Sequence, residues 1–139
     1  MWRSLGLIVA VLLAGCGSAD TLPPPAAGAP PVVRAPGGEA VLDTRARTIT
    51  VGGMRADAGV GPTAIAETEE HVYVTDTVQD ALLVFRKEPK LSLQRRAYLP
   101  GAPVALEVDE ARDRLLVTLD ATGEMVAVTL DGAVKALQP

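Results

Sequence analysis

Four carboxylates in two short turn segments are the side chains of this sequence that come nearest to a chemical site. One segment, Asp-Thr-Val-Gln-Asp, begins with Asp76 and ends with Asp80. The other, Asp-Ala-Thr-Gly-Glu, begins with Asp120 and ends with Glu124. Oxygen ligands of this kind suit Ca²⁺, but their spacing does not match an EF-hand loop. Because acidic turns are usually just solvated, the sequence predicts two exposed turns that could contact a partner, and no metal site.

Other catalytic chemistry has little support in the sequence. The single histidine, His71, follows Glu67-Thr68-Glu69-Glu70, whereas a catalytic zinc site draws three protein ligands, often several of them histidines. None of the three serines lies in a nucleophile elbow. The glycine-rich segment 52–61 lacks the Gly-Lys-Ser/Thr ending of a phosphate loop and reads as a flexible connection. We therefore predict no catalytic residue and no cofactor.

The only cysteine, Cys16, ends a segment with the layout of an export signal. A basic start is followed by the apolar run Leu5 to Leu13 and then by small residues. This run is far shorter than the roughly 20 residues that cross a bilayer as a helix. Leu13-Ala14-Gly15-Cys16 resembles the lipobox of bacterial lipoproteins. The alternative is a plain signal peptide with an incidental cysteine.

The lipobox resemblance implies an anchored, exported protein. Residues 1–15 would be the signal peptide, and lipidated Cys16 would become the first residue of the mature chain. Acyl chains would hold the protein on the extracytoplasmic face of a bacterial membrane, either the cell membrane or the outer membrane. The formal net charge of −4 and the pI near 4.9 give no case for nucleic-acid binding.

The rest of the chain divides into a tether and a folded region. Residues 16–38 are rich in Pro, Ala and Gly, which predicts a disordered tether with polyproline II character. Residues 39–139 alternate short apolar runs with turn signals and predict strands. Ala81 to Phe85 is apolar on both faces, which predicts a strand buried on both sides. The predicted strands are 41–43, 48–51, 63–66, 71–75, 81–85, 91–98, 103–108, 114–119, 125–130 and 133–137.

Some of these strands recur with a period near 40 residues. Pro103 follows Pro62 by 41 positions, and Leu116-Val117-Thr118 follows Tyr73-Val74-Thr75 by 43. Asp80 to Leu83 similarly follows Glu39 to Leu42 by 41 positions. Four strands in about 40 residues is the period of β-propeller blades.

At these residues the chain resembles the YVTN- and NHL-type propeller repeats, most clearly at Tyr73-Val74-Thr75-Asp76. The resemblance implies an all-β, β-propeller-like domain of four-stranded blades. The chain would hold two complete units and the outer half of another, about two and a half in all. Propellers close with 4–8 blades, so three alternatives stay open: a truncated chain, a homo-oligomer that completes the ring if the chain is complete, or an open stack of sheets.

Two functions follow as expectations. The absence of a nucleophile–base pair and of a cofactor loop favours a non-catalytic binding or scaffold role at the cell envelope, with a protein or peptide partner. The alternative, implied by the propeller resemblance, is a fragment of a lactonase- or lyase-like enzyme. Its carboxylates at the channel mouth would be Asp76, Asp80, Asp120 and Glu124.

Overall fold

The structure is a computed structural model that describes residues 32–131 and 134–136, and this part of the chain is all-β. The predicted all-β class is confirmed. The predicted signal peptide (residues 1–15), the lipidation site Cys16 and the tether as far as residue 31 lie outside the described residues. The strands are β1 (Val32–Arg34), β2 (Val41–Asp43), β3 (Thr48–Val51), β4 (Met54–Asp57), β5 (Pro62–Glu67), β6 (His71–Asp76), β7 (Ala81–Arg86), β8 (Ser92–Tyr98), β9 (Pro103–Asp109), β10 (Arg114–Leu119), β11 (Met125–Thr129) and β12 (Val134–Ala136).

The strands form three antiparallel four-stranded sheets, in which every strand pairs with its neighbour in sequence. The first sheet is β1–β4, the second β5–β8 and the third β9–β12. In the second and third sheets the register shifts just after the opening proline, between Pro62 and Ala64 and between Pro103 and Ala105. The described residues do not close a propeller ring.

The second sheet is the centre of the fold because both of its faces are buried. Successive residues of β7 project to opposite faces. Leu83 and Phe85 join an apolar cluster with the first sheet, and Leu82 and Val84 join a second cluster with the third sheet. The prediction that residues 81–85 are buried on both sides is confirmed. Each such side chain stabilises the stack by about 1.5–3 kcal/mol.

Two buried polar side chains fasten the neighbouring sheets. Glu67 pairs with the ammonium of Lys87, and its Oε1 accepts a hydrogen bond at 2.8 Å from the amide of Ala40, the residue before β2 of the first sheet. Burial raises the pKa of Glu67, but the Lys87 and Ala40 hydrogen bonds and the charge attraction outweigh it, so the pKa lies below its ordinary value. On the other side, the hydroxyl of Tyr73 donates to the carbonyl of Leu130 at 2.8 Å, and burial raises the pKa of this tyrosine.

Two strands of the first sheet were not predicted from the sequence. The tether was expected to extend to residue 38, but Val32–Arg34 already pairs with β2. Segment 52–61 was expected to be a flexible connection, but it contains the edge strand β4. Gly52 and Gly53, both at positive φ, make the two-residue turn between β3 and β4. The first sheet is therefore complete, and the expectation of only half a unit is wrong.

The alignment of the first unit with the second also needs correction. Val41 and Leu42 were matched to the third strand of the next unit, whereas they lie in β2, the second strand of their own sheet. The structure aligns Asp43 with Asp76, 33 positions later, and each aspartate is followed by a threonine and a turn. The first unit is shorter because its strands are short and its last two strands are joined by two glycines.

Candidate functional site

One end of the three sheets gathers the turns in which the sequence placed its candidate residues. We call this end the turn face; it comprises the turns between second and third strands, at 44–47, 77–80 and 120–124, and the connections between sheets, at 58–61 and 99–102. Backbone hydrogen bonds tie each turn to a connection. They are Ala58 N–H to the Arg47 carbonyl (2.8 Å), Thr77 N–H to Gly61 (2.9 Å), Leu99 N–H to Asp80 (2.7 Å) and Asp120 N–H to Ala102 (2.7 Å).

Asp76 lies beneath this face and not on it. The residue is fully buried. Its carboxylate accepts hydrogen bonds from the backbone amides of Val60 (2.9 Å), Gly61 (3.0 Å) and Gln79 (3.2 Å). A buried carboxylate is stable only when its oxygens are hydrogen-bonded, and here the bonds join the 58–61 connection to the 77–80 turn. The prediction of Asp76 as an exposed binding residue is therefore wrong.

Gly59 explains how the connection approaches the carboxylate so closely. Its φ of +95° lies in the left-handed region, which disfavours every side chain. A Cβ at this position would lie 2.5 Å from Asp76 Oδ2 and 3.0 Å from the Leu83 side chain. Gly59 thus permits a close backbone approach that a side chain would block.

The other three predicted residues are exposed on the turn face. Asp80 occupies a left-handed conformation with φ of +52°, which aspartate tolerates better than most residues. Asp120 and Glu124 are exposed in the turn of the third sheet. Their carboxylates are open to a partner, so their predicted role as binding residues stays a prediction.

The two acidic turns are not equivalent in detail. Asp76 pairs with Pro62, and the residue that pairs with Pro103 in the third sheet is Leu119, which is buried. A leucine therefore stands where the second sheet has its bracing carboxylate, and Asp120 matches Thr77. Among the described residues, no group of three or more His, Cys, Asp and Glu side chains is arranged to hold a metal ion.

The tetrapeptide Tyr73 to Asp76 has a structural use for each of its side chains. Tyr73 lies in the cluster with the third sheet and Val74 in the cluster with the first. Thr75 is fully buried, and its hydroxyl is 2.8 Å from that of Thr63. The motif therefore holds the second sheet between its neighbours. His71, the first residue of β6, lies 2.9 Å from Gln94 Oε1 through its Nε2.

A cleft between the outer strands of the first and second sheets was missed by sequence reasoning. Its volume is about 780 Å³, and it opens beside the turn face. Three arginines (Arg47, Arg55 and Arg96) and one carboxylate (Asp57) line it. These residues come from a turn and two strands that are distant in sequence, so no local spacing connects them.

Comparisons with known proteins assign no relatives to this chain: no family model, curated protein or solved structure matches it. Within the described part of the chain, there is no helix with the length and apolar character needed to span a bilayer.

Proposed function

We propose that this protein is a membrane-anchored, extracytoplasmic lipoprotein whose β-propeller-like domain binds a protein or peptide partner through the turn face, without catalysis. One observation carries the binding role: the buried carboxylate of Asp76 braces a connection and a turn from inside. Turns held on a rigid scaffold are the usual place for binding residues. The exposed side chains near this brace include Val78, with 67% exposure, and the carboxylate of Asp80 in the same turn. The carboxylates of Asp120 and Glu124 are exposed in the corresponding turn of the third sheet.

Site-specific photo-crosslinking in intact cells tests the binding face. A photoreactive residue replaces Val78 on the turn face, and the matched control replaces Glu69, which is exposed in the turn before β6. That turn lies at the opposite end of the second sheet, since successive turns of a meander alternate between ends. We expect a discrete crosslinked product from position 78 and none from position 69. Equal crosslinking at both positions would refute a defined face.

The proposal of a lipid anchor rests on the N-terminal sequence, in which a basic residue, an apolar run and small residues precede Cys16 in that order. Labelled palmitate should enter the wild-type protein and not Cys16→Ala. Equal labelling of both proteins, or labelling of neither, would overturn the lipoprotein part of the proposal while leaving the binding face to be judged by crosslinking.

Homo-oligomer formation belongs to the propeller-like part of the proposal. On the second sheet, the paired row Ala66, Tyr73 and Val84 is buried under the third sheet. The matching row of the third sheet, Glu107, Leu116 and Ala127, faces away from the second sheet. If the chain is complete, a second copy would cover this face. Light scattering of the purified protein should then give a mass above that of one chain, and a folded monomer would reject association.

The enzyme alternative draws no support from the site geometry. It requires four carboxylates at one channel mouth, but Asp76 is buried and bonded to three backbone amides. Metal-dependent hydrolysis of a lactone or ester panel, abolished by Asp120→Ala, would restore the enzyme and displace the binding proposal.

A further inference from the structure

The cleft between the first and second sheets has the composition of a site for an acidic ligand. We propose that it binds an acidic peptide segment that carries a large apolar side chain. The volume of about 780 Å³ falls within the roughly 300–1,000 Å³ typical of ligand pockets. This proposal rests on the proposed function, which gives the protein a peptide or protein partner. It specifies that the recognised segment of that partner is acidic and apolar.

Charge is the first argument. Three arginines and a single carboxylate line the cleft, although the chain as a whole has a net charge of −4. Arg96 pairs with Leu83 across β7 and β8, so it projects toward the first sheet. One of its nitrogens donates to Gln79 Oε1 at 2.7 Å. A guanidinium has five N–H donors, so the remaining ones can bind a carboxylate.

The apolar surface of the cleft is the second argument. Leu83 and Phe85 line the cleft but are only 1% exposed, so the accessible apolar surface lies at its rim. At its rim, Val60 and Leu93 are 46% and 45% exposed, respectively. An apolar ligand side chain that covers Leu93 removes this surface from water, which is favourable. The cleft therefore combines arginine side chains with accessible apolar surface at Val60 and Leu93.

The strands that wall the cleft favour a peptide over a lipid. β4 and β8 are the outer edge strands of their sheets. An edge strand presents backbone N–H and C=O groups that an extended peptide can pair with. A fatty acid offers a carboxylate and an apolar tail but no such groups. Charge, apolar surface and open strand edges together select an acidic, extended peptide.

Fluorescence anisotropy with two labelled hexapeptides tests the proposal on the purified protein. The probe is Gly-Glu-Leu-Glu-Phe-Gly, and the control peptide has lysine in place of both glutamates. Arg96→Gln and Leu93→Ser should each weaken probe binding by roughly fivefold or more. The matched controls are Arg95→Gln and Tyr98→Ser. In the wild type, the Arg95 side chain donates to the Asp131 carbonyl, and Tyr98 is 69% exposed and does not line the cleft.

We expect the acidic peptide to bind, the basic peptide not to bind, and affinity to fall with added salt. Equal weakening by the control variants, no binding of the acidic probe at millimolar concentration, or displacement by decanoate as effective as by unlabelled probe would each overturn the proposal. Circular dichroism of every variant separates lost folding from lost binding. If the cleft fails but position 78 still crosslinks, the proposed function stands without this site; if both fail, both are rejected.

Discussion

Replacing Asp76 by alanine should destabilise the fold strongly, because this carboxylate holds the turn face together. The substitution removes hydrogen bonds to the amides of Val60, Gly61 and Gln79, at 2.9, 3.0 and 3.2 Å. A hydrogen bond to a charged group contributes about 1.5–3 kcal/mol. Val60 and Gln79 are exposed, so water replaces part of their bonds in the variant, whereas the half-buried Gly61 amide loses its partner.

Taking the lower value of about 1.5 kcal/mol for the Gly61 bond, and about half of that for each of the other two bonds, gives a loss of about 3 kcal/mol in the free energy of unfolding. For a domain of this size the loss corresponds to a fall of roughly 12–24 °C in Tm. Asp76→Asn keeps one oxygen but turns an NH₂ group toward a backbone donor, so an intermediate cost of about 1–2 kcal/mol is expected.

Urea unfolding followed by far-ultraviolet circular dichroism measures these differences. The matched control is Asp120→Ala, since Asp120 is an exposed carboxylate in the corresponding turn of the third sheet. Its cost should stay within about 0.5 kcal/mol. If the unfolding free energy of Asp76→Ala lies within about 1 kcal/mol of that of this control, the bracing role assigned to the carboxylate is refuted.

Three further changes test the packing around this brace. Gly59→Ala should lower the unfolding free energy by about 2 kcal/mol or more, since φ is +95° and the new Cβ would lie 2.5 Å from Asp76 Oδ2. Gly53→Ala is the control and should cost less, because its new Cβ would have no atom within 4 Å. Glu67→Gln tests pH dependence. Because the folded pKa of Glu67 is lowered, its stabilisation is present above the ordinary pKa of about 4.5 and is lost as pH falls through the folded value. The difference in urea midpoint between wild type and Glu67→Gln should therefore shrink from pH 7 toward pH 3, and a constant difference would contradict this assignment. Tyr73→Phe removes the bond to the Leu130 carbonyl and should cost about 1 kcal/mol, measured as a change in Tm.

Local patterns in the sequence were sufficient to predict much of the fold. Short alternating or continuous apolar runs between turn signals specify strands because their side chains fit a pleated, buried surface. The continuous run at 81–85 specified a strand buried on both sides, and β7 has this burial. Two strands lack such a run and were not predicted: β1 has only three residues, and β4 carries the charged residues Arg55 and Asp57. The Gly52-Gly53 pair was the available signal for the hairpin that contains β4.

Tertiary structure alone decided which candidate residues are free to act. Asp76 and Asp120 both open short acidic turns with a threonine nearby, so their local sequences are alike. The two aspartates differ because the 58–61 connection folds over Asp76 and directs two backbone amides at its carboxylate. This contact spans about 15 residues of sequence, so no turn propensity encodes it. The arginines of the cleft likewise meet only when two sheets stack. The amino-acid sequence by itself determined the strands and turns, through short-range sterics and burial patterns; long-range packing determined which polar groups are buried supports and which are open to a partner.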